Sequence, residues 1–228
     1  MSDVVAALSF VPDAVIFDMD GLMLDSERAS LRSWSRGARE IGLQIEDDYW
    51  LRLVGHSMPA CRLILRERMG EAQIETLMTH CYALYQAEVD AGVPLRPGIH
   101  EILQLLARYD VPCGVATSTR RPLAPHKLEA AGLLPYFKAV TAGNDVEHPK
   151  PAPDIYLLAA QRMGAAPERC LALEDSPAGV TAALAAGLTV IQVPDLVVPD
   201  EALRARGHRI VASLHQAREL LEARLQAA

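Results

Sequence analysis

Asp18 and Asp20 close the apolar run of the segment Val15-Ile16-Phe17-Asp18-Met19-Asp20-Gly21. Side chains two apart on an extended chain point to the same face, so both carboxylates can reach one bound group. Three further apolar runs lead to residues that a hydrophobic core does not require. Thr117 and Ser118 follow the run at 113–116. Lys150, in Pro149-Lys150-Pro151-Ala152-Pro153-Asp154, lies beyond the run at 137–140. Glu174 and Asp175 follow the run at 170–173. Each has a bland explanation alone, since Asp and Ser cap helices and Lys decorates loops. Ser176 followed by Pro177 reads as such a cap, with Gly187 closing the same helix. Four such signatures in order are harder to read as capping. An open α/β sheet binds ligands outside the carboxyl ends of its strands, which is where all four would converge.

The elements that must position these residues are legible in the hydrophobic pattern. The runs at 14–17, 113–116, 137–140, 170–173 and 189–193 are short, and most lack polar alternation, as strands buried on both faces of a parallel sheet do. Helical faces lie between them: Ile99, Ile102, Leu103 and Leu106 form one, and Val180, Ala183 and Leu184 another. The alternation predicts an α/β fold, a Rossmann-like parallel sheet with helices on both faces. One block breaks it. Residues 24–92 read as helices only, with Leu31, Trp34, Ala38 and Ile41 as the first stripe, Ile64 and Leu65 in a second helix, and the stretch 74–89 after them. That is too long for a crossover and predicts an inserted helical domain at 24–92, with 1–23 and 93–228 forming the α/β core. Val93-Pro94-Leu95-Arg96-Pro97-Gly98 is the stiff return linker, and hinges are expected near Leu24 and near 94–97.

The chain has 228 residues, half of them hydrophobic, and a formal net charge of -7. That balance argues against a nucleic-acid partner, because phosphate backbones are bound by basic surfaces. A small anionic metabolite needs only one locally positive pocket. Cys61, Cys81, Cys113 and Cys170 show no CxxC spacing and read as small buried residues of a reducing compartment. No apolar run reaches membrane-spanning length, and the N-terminal stretch lacks a basic start and is broken by Pro12-Asp13. A cytoplasmic protein with no membrane partner is expected, with a monomer as the default.

Asp18-Met19-Asp20-Gly21, Thr117-Ser118, Lys150 and Glu174-Asp175, in that order, resemble the four motifs of the haloacid dehalogenase superfamily. The helical block between the first and second motifs resembles its members with a helical cap. Leu173-Glu174-Asp175-Ser176-Pro177-Ala178-Gly179 is similar to the β-phosphoglucomutase-like, sugar-phosphatase branch. The resemblance implies a Mg²⁺-dependent phosphatase working through an aspartyl phosphate. It makes Asp18 the nucleophile and Asp20 the acid and base. Lys150 and Thr117 are implied to hold the phosphoryl group, with backbone N–H groups near Ser118 helping. The implied metal ligands are the Asp18 carboxylate, the Asp20 carbonyl, Asp175 and Glu174, the last directly or through water.

Absent residues separate the branches. The chain has three lysines, Lys127, Lys138 and Lys150, none of them in the helical block, so a Schiff-base chemistry that resembles phosphonoacetaldehyde hydrolysis has no amine there. Dehalogenases lack the second aspartate, which Asp20 supplies. The resemblance to mutases implies an Arg and a His near the positions of Met58 and Ser30 in this chain. Hydrolysis of a small phosphomonoester, a sugar phosphate or a nucleotide, is therefore expected, with a β-phosphoglucomutase-type mutase as the alternative. A non-catalytic phospho-acceptor or binding protein is the reading from another class. His56 reads either as a substrate contact or as an exposed turn residue. Arg28, Arg32, Arg36, Arg39 and Arg52 read mostly as solvated helix faces, and Trp34 as a core anchor.

Overall fold

Each apolar run becomes a strand because the neighbouring strands and helices can cover both of its faces. The computed structural model describes residues 8–54 and 58–227. Its sheet has the order β3-β2-β1-β4-β5-β6, all parallel. The strands are β1 (Ala14–Phe17), β2 (Cys113–Ala116), β3 (Ala139–Thr141), β4 (Cys170–Glu174), β5 (Thr189–Gln192) and β6 (Arg209–Ile210). The order reverses between β1 and β4, and that switch point is where such sheets open a crevice for ligands. In register, Phe17 lies opposite Leu173 on one side and Val115 on the other. The residues after all three strands are thereby brought level.

Ala14 and Ile16 face one apolar cluster with α7 (Asp154–Met163) and α8 (Pro177–Ala185). Val15 and Phe17 face the other way and are equally buried. On α5 (Ile99–Arg108), Ile99, Ile102, Leu103 and Leu106 are all buried, and this helix pairs with α10 (Leu214–Gln226). Between β2 and β3 runs α6 (Leu123–Ala130), and α9 (Glu201–Arg204) precedes β6. The Ser176 side chain caps α8 by accepting from the Gly179 N–H at 3.1 Å, with Pro177 at the first helical position and Gly187 at φ +87° beyond its end.

Two departures from the sequence reading are local. The third strand begins at Ala139 rather than Phe137, because a 3₁₀ turn over Leu134–Tyr136 occupies the approach and Phe137 packs edge-on against Phe17, with ring centroids 5.8 Å apart. The edge strand β6 has no signal in the hydrophobic pattern. It spans only Arg209–Ile210, too short for any period to show.

Contacts divide the chain into two compact units, Met1–Leu24 with Leu95–Ala228, and Asp25–Pro94. The second unit is helical: α1 (Ser26–Glu40), α2 (Asp47–Trp50), a 3₁₀ turn at Leu51–Leu53, α3 (Met58–Leu65) and α4 (Glu71–Asp90). Its core joins Trp34, Ala38, Trp50, Leu65, Ile74 and Leu77. Trp34 stacks on Trp50 at 6.0 Å, as a core anchor would. At about 1.5–3 kcal/mol for each large apolar side chain buried, such a core is the main support of the unit. Gly37 lets α1 approach α4, since a Cβ there would sit 2.8 Å from Cys81 Sγ. Arg28, Arg32, Arg36 and Arg52 pair with Asp25, Glu88, Glu40 and Glu67 of the same unit, and Arg39 bonds to Ser35. In the α/β unit, Leu24 bridges Leu95 and the Arg96 N–H donates to the Met23 carbonyl at 2.8 Å, so outgoing and returning segments lie side by side.

Candidate active site

Three strand ends deliver the central cluster. Asp18 follows β1, its N–H bonded to the Leu173 carbonyl at 2.9 Å, and Glu174 ends β4 beside it. Lys150 enters from the loop after β3. Its Nζ lies 2.6 Å from Asp18 Oδ1 and 2.6 Å from Glu174 Oε1, and it also donates to the Ala116 carbonyl at 3.0 Å. The Lys150 side chain is 5% exposed and Glu174 fully buried, so one ammonium bridges two carboxylates out of water. Such a cluster holds only because every member is partnered, since an unpaired buried charge is heavily penalised.

Tyr156 on α7 completes the floor. Its hydroxyl donates to Glu174 Oε1 at 2.9 Å, and its ring lies 5.0 Å from Lys150 Nζ. The other Glu174 oxygen accepts the Ser176 N–H at 2.9 Å and the Ser176 hydroxyl at 3.0 Å. Gly179 makes room for this carboxylate, because a Cβ there would lie 1.6 Å from Oε1. Both Glu174 oxygens are thus committed within the protein, and the side chain is an anchor for Lys150. This sharpens the expectation that Glu174 is a metal ligand: the geometry gives it no oxygen turned away from protein donors.

Electrostatics follow from burial. Desolvation pushes the Asp18 carboxyl up, Lys150 pulls it down by charge and hydrogen bond, Glu174 and Asp20 push it up again, and the balance lies at about 7. Burial opposes the charge on Lys150, but Asp18 and Glu174 hold its pKa well above the usual lysine range. A further positive charge beside Asp18 would favour its ionised form.

Asp20 and Thr117 lie on the same rim. Asp20 Oδ2 accepts the Thr119 hydroxyl at 2.6 Å and Oδ1 accepts Lys127 Nζ at 2.6 Å. Thr117 is buried at the end of β2, its N–H bonded to the Thr141 carbonyl at 3.0 Å, while Ser118 is exposed. The loops after β2 and β3 touch closely. Gly143 donates to the Thr119 carbonyl at 3.0 Å, and a Cβ on it would fall 2.2 Å from the Ser118 oxygen. Asp145 braces them, taking Arg162 at 2.5 Å, Arg121 at 3.1 Å and the Ala142 N–H at 3.1 Å. Met58 opens α3, half exposed, and Ser30 is part-buried on α1. His56 falls outside the described residues.

Residues 15–193 match the family of haloacid dehalogenase-like hydrolases. The chain belongs to that family. Hexitol phosphatase A of Escherichia coli (strain K12) is 35% identical over 178 residues, 78% of this chain and 81% of the relative. A fructose-1-phosphate phosphatase of the same strain is 34% identical over 187 residues, covering 78% and 95%. Among solved structures, a putative β-phosphoglucomutase from Thermotoga maritima superposes with a TM-score of 0.80 at 26% identity, covering 94% of this chain and 99% of that one.

The fit of this hydrolase's residues to Mg²⁺ can be tested on its donors. Among the described residues no three His, Cys, Asp or Glu side chains gather into a closed cage. Mg²⁺ does not require one, since it keeps several waters and takes one or two carboxylates together with substrate oxygens. Asp175 lies against the first motif: Gly21 has φ +82°, and a Cβ there would fall 2.3 Å from Asp175 Oδ2. Asp18, the Asp20 carbonyl and Asp175 are oxygen donors of the kind that ion takes. Gln192, fully buried on β5, steadies Asp175 by donating to its carbonyl at 3.1 Å, and its own Oε1 lies 2.8 Å from His208 Nε2.

Sequence reasoning missed Tyr156, Gln192 and Lys127. Tyr156 and Lys127 are single residues on helices, and Gln192 is one polar residue at a strand end, so none carries a local signal. The only available hint was scarcity, because a chain with three lysines has few to leave unexplained.

Proposed function

We propose that this protein is a Mg²⁺-dependent phosphatase of a small phosphorylated carbohydrate, acting through an aspartyl phosphate on Asp18. As a family member whose similar relatives are phosphatases, it is a phosphoric monoester hydrolase. The observation that carries the mechanistic reading is the buried Lys150 ammonium, 2.6 Å from Asp18, at the switch point of the sheet. A carboxylate held beside a fixed cation, with a hydroxyl donor at Thr117, suits attack on a phosphorus whose oxygens carry negative charge.

In this reading Asp18 attacks phosphorus in line, and the P–O bond to the sugar breaks. Asp20 gives its proton to the departing oxygen. Asp20 then takes a proton from water as the water attacks the aspartyl phosphate, releasing phosphate and restoring Asp18. Lys150 and Thr117 hold the phosphoryl oxygens, and N–H groups near Ser118 add donors. Asp18, the Asp20 carbonyl and Asp175 would hold Mg²⁺, which would offset phosphoryl charge and favour the ionised form of Asp18. Glu174 contributes by anchoring Lys150. The helical unit is the proposed source of substrate choice, and His56 is proposed as a substrate contact.

Relatives that act on a hexitol phosphate and on fructose 1-phosphate support a sugar phosphate over a nucleotide. Met58 and Ser30, near the positions where the family resemblance implies Arg and His in a mutase, support hydrolysis over phosphoryl exchange. Among the described residues no helix is long and apolar enough to cross a membrane. Four buried, unbridged cysteines support a reducing compartment and hence a cytoplasmic enzyme, and a monomer is the default reading. The test is Asp18→Asn assayed on p-nitrophenyl phosphate and on a panel of hexose and hexitol phosphates, with and without EDTA. Turnover should vanish in the variant, and EDTA should abolish it in the parent. Retained activity in the variant would remove Asp18 as nucleophile. Interconversion of β-glucose 1-phosphate and glucose 6-phosphate outrunning hydrolysis would assign a mutase instead.

A further inference from the structure

The steps above leave one buried ammonium without a task. Lys127 sits on α6 with its side chain 3% exposed. A lysine on a short helix ordinarily runs its stem along the surface and keeps its charge in water. Here Nζ turns inward to Asp20 Oδ1 at 2.6 Å, while the Thr119 hydroxyl reaches Oδ2 at 2.6 Å. Both oxygens of one carboxylate are therefore gripped from a single stretch of chain, the loop after β2 and the helix it leads into. The same loop carries Thr117, whose Oγ1 accepts the Thr119 N–H at 3.1 Å. The Asp20 side chain remains 24% exposed, so the grip leaves it open on one side.

We propose that Lys127, together with Thr119, is a positioning residue that fixes the Asp20 carboxyl group relative to the phosphoryl site. With an ammonium on Oδ1 and a hydroxyl on Oδ2, the carboxylate cannot turn about its axis without breaking a 2.6 Å contact. Because Thr117 and Thr119 share one turn, the phosphoryl-holding hydroxyl and the proton donor keep their spacing. Proton transfer needs heavy atoms within hydrogen-bond reach, and a side chain free to change rotamer would lose much of that time in the wrong place.

The inference rests on reading Asp20 as acid and base, and the experiment separates the two. Values of kcat/KM are measured for the parent, Asp20→Asn, Lys127→Met and Thr119→Val on p-nitrophenyl phosphate, whose leaving group needs little protonation, and on phenyl phosphate, whose leaving group needs more. Asp20→Asn should lose far more on phenyl phosphate. Lys127→Met should show the same selectivity, with roughly tenfold more loss on phenyl phosphate than on p-nitrophenyl phosphate, a fraction of what a complete general acid supplies. Thr119→Val should lose a few-fold in the same direction, and it carries the comparison where Lys127→Met does not fold. Equal losses on both substrates, or none, in Lys127→Met and Thr119→Val would overturn the positioning role while a selective Asp20→Asn preserved the acid. An unselective Asp20→Asn would instead remove the acid reading itself.

Discussion

Gly179→Ala tests the central cluster with the smallest possible change. The added Cβ would lie 1.6 Å from Glu174 Oε1 and 2.0 Å from its Cδ, where ordinary contacts are no closer than 3.0 Å. The Glu174 carboxylate must therefore retreat by at least about 1.4 Å, judged from those same distances. It has no solvent to retreat into, being fully buried between Tyr156, Lys150 and Ser176. A Lys150 contact that begins at 2.6 Å would then lengthen beyond hydrogen-bond range. Breaking a buried ion pair from one side costs about 3–5 kcal/mol, and for a chain of this size that corresponds to a fall in Tm of roughly 6 to 20 °C. Turnover of p-nitrophenyl phosphate should fall as well, because Lys150 is shared with Asp18. The assay is thermal unfolding followed by circular dichroism, with kcat measured beside it. The decisive arm is Gly179→Ala in a Glu174→Ala background, where no carboxylate remains to be struck. There the glycine substitution should cost little, giving a large interaction energy in the double-mutant cycle. A Tm unchanged in the single variant, or costs that simply add in the double, would refute the account of Glu174 as the anchor of Lys150.

Two further outcomes follow from the loops around the site. Burial raises the Asp145 pKa, but Arg121, Arg162 and the Ala142 N–H outweigh it and hold it at about 2, below the usual 3.8. A depressed carboxyl contributes stability that is complete above about pH 4 and lost as pH falls toward 2, on the order of 1–2 kcal/mol after allowing for its partly exposed arginine partners. Asp145→Asn should lose that increment at neutral pH and show a shallower acid limb in denaturant titrations, and superimposable limbs would contradict it. Gly21→Ala should displace Asp175, whose Oδ2 would meet the new Cβ at 2.3 Å, and it also strains a backbone at φ +82°. About 10–100 times more Mg²⁺ should then be needed for half-maximal activity, and an unchanged Mg²⁺ titration would detach Asp175 from the metal.

The sequence by itself determined the α/β sheet and the candidates for its chemistry. Parallel strands buried on both faces need continuous apolar runs, so Ala14–Phe17, Cys113–Ala116 and Thr189–Gln192 were visible as strands without any partner being known. Asp18, Asp20, Thr117 and Asp175 stood out because polar residues placed where such a run stops serve no core. The Ser176-Pro177 cap was legible because its chemistry is local. Tertiary structure alone decided what those residues face. Glu174 reads as one more acid beside Asp175, yet its oxygens go to Lys150, Tyr156 and Ser176, two of them arriving from other elements. Lys127 is an ordinary helical lysine until folding buries it against Asp20, 107 residues earlier in the chain. Burial and long-range charge pairing belong to pairs of distant residues, and no window along one strand or helix contains them.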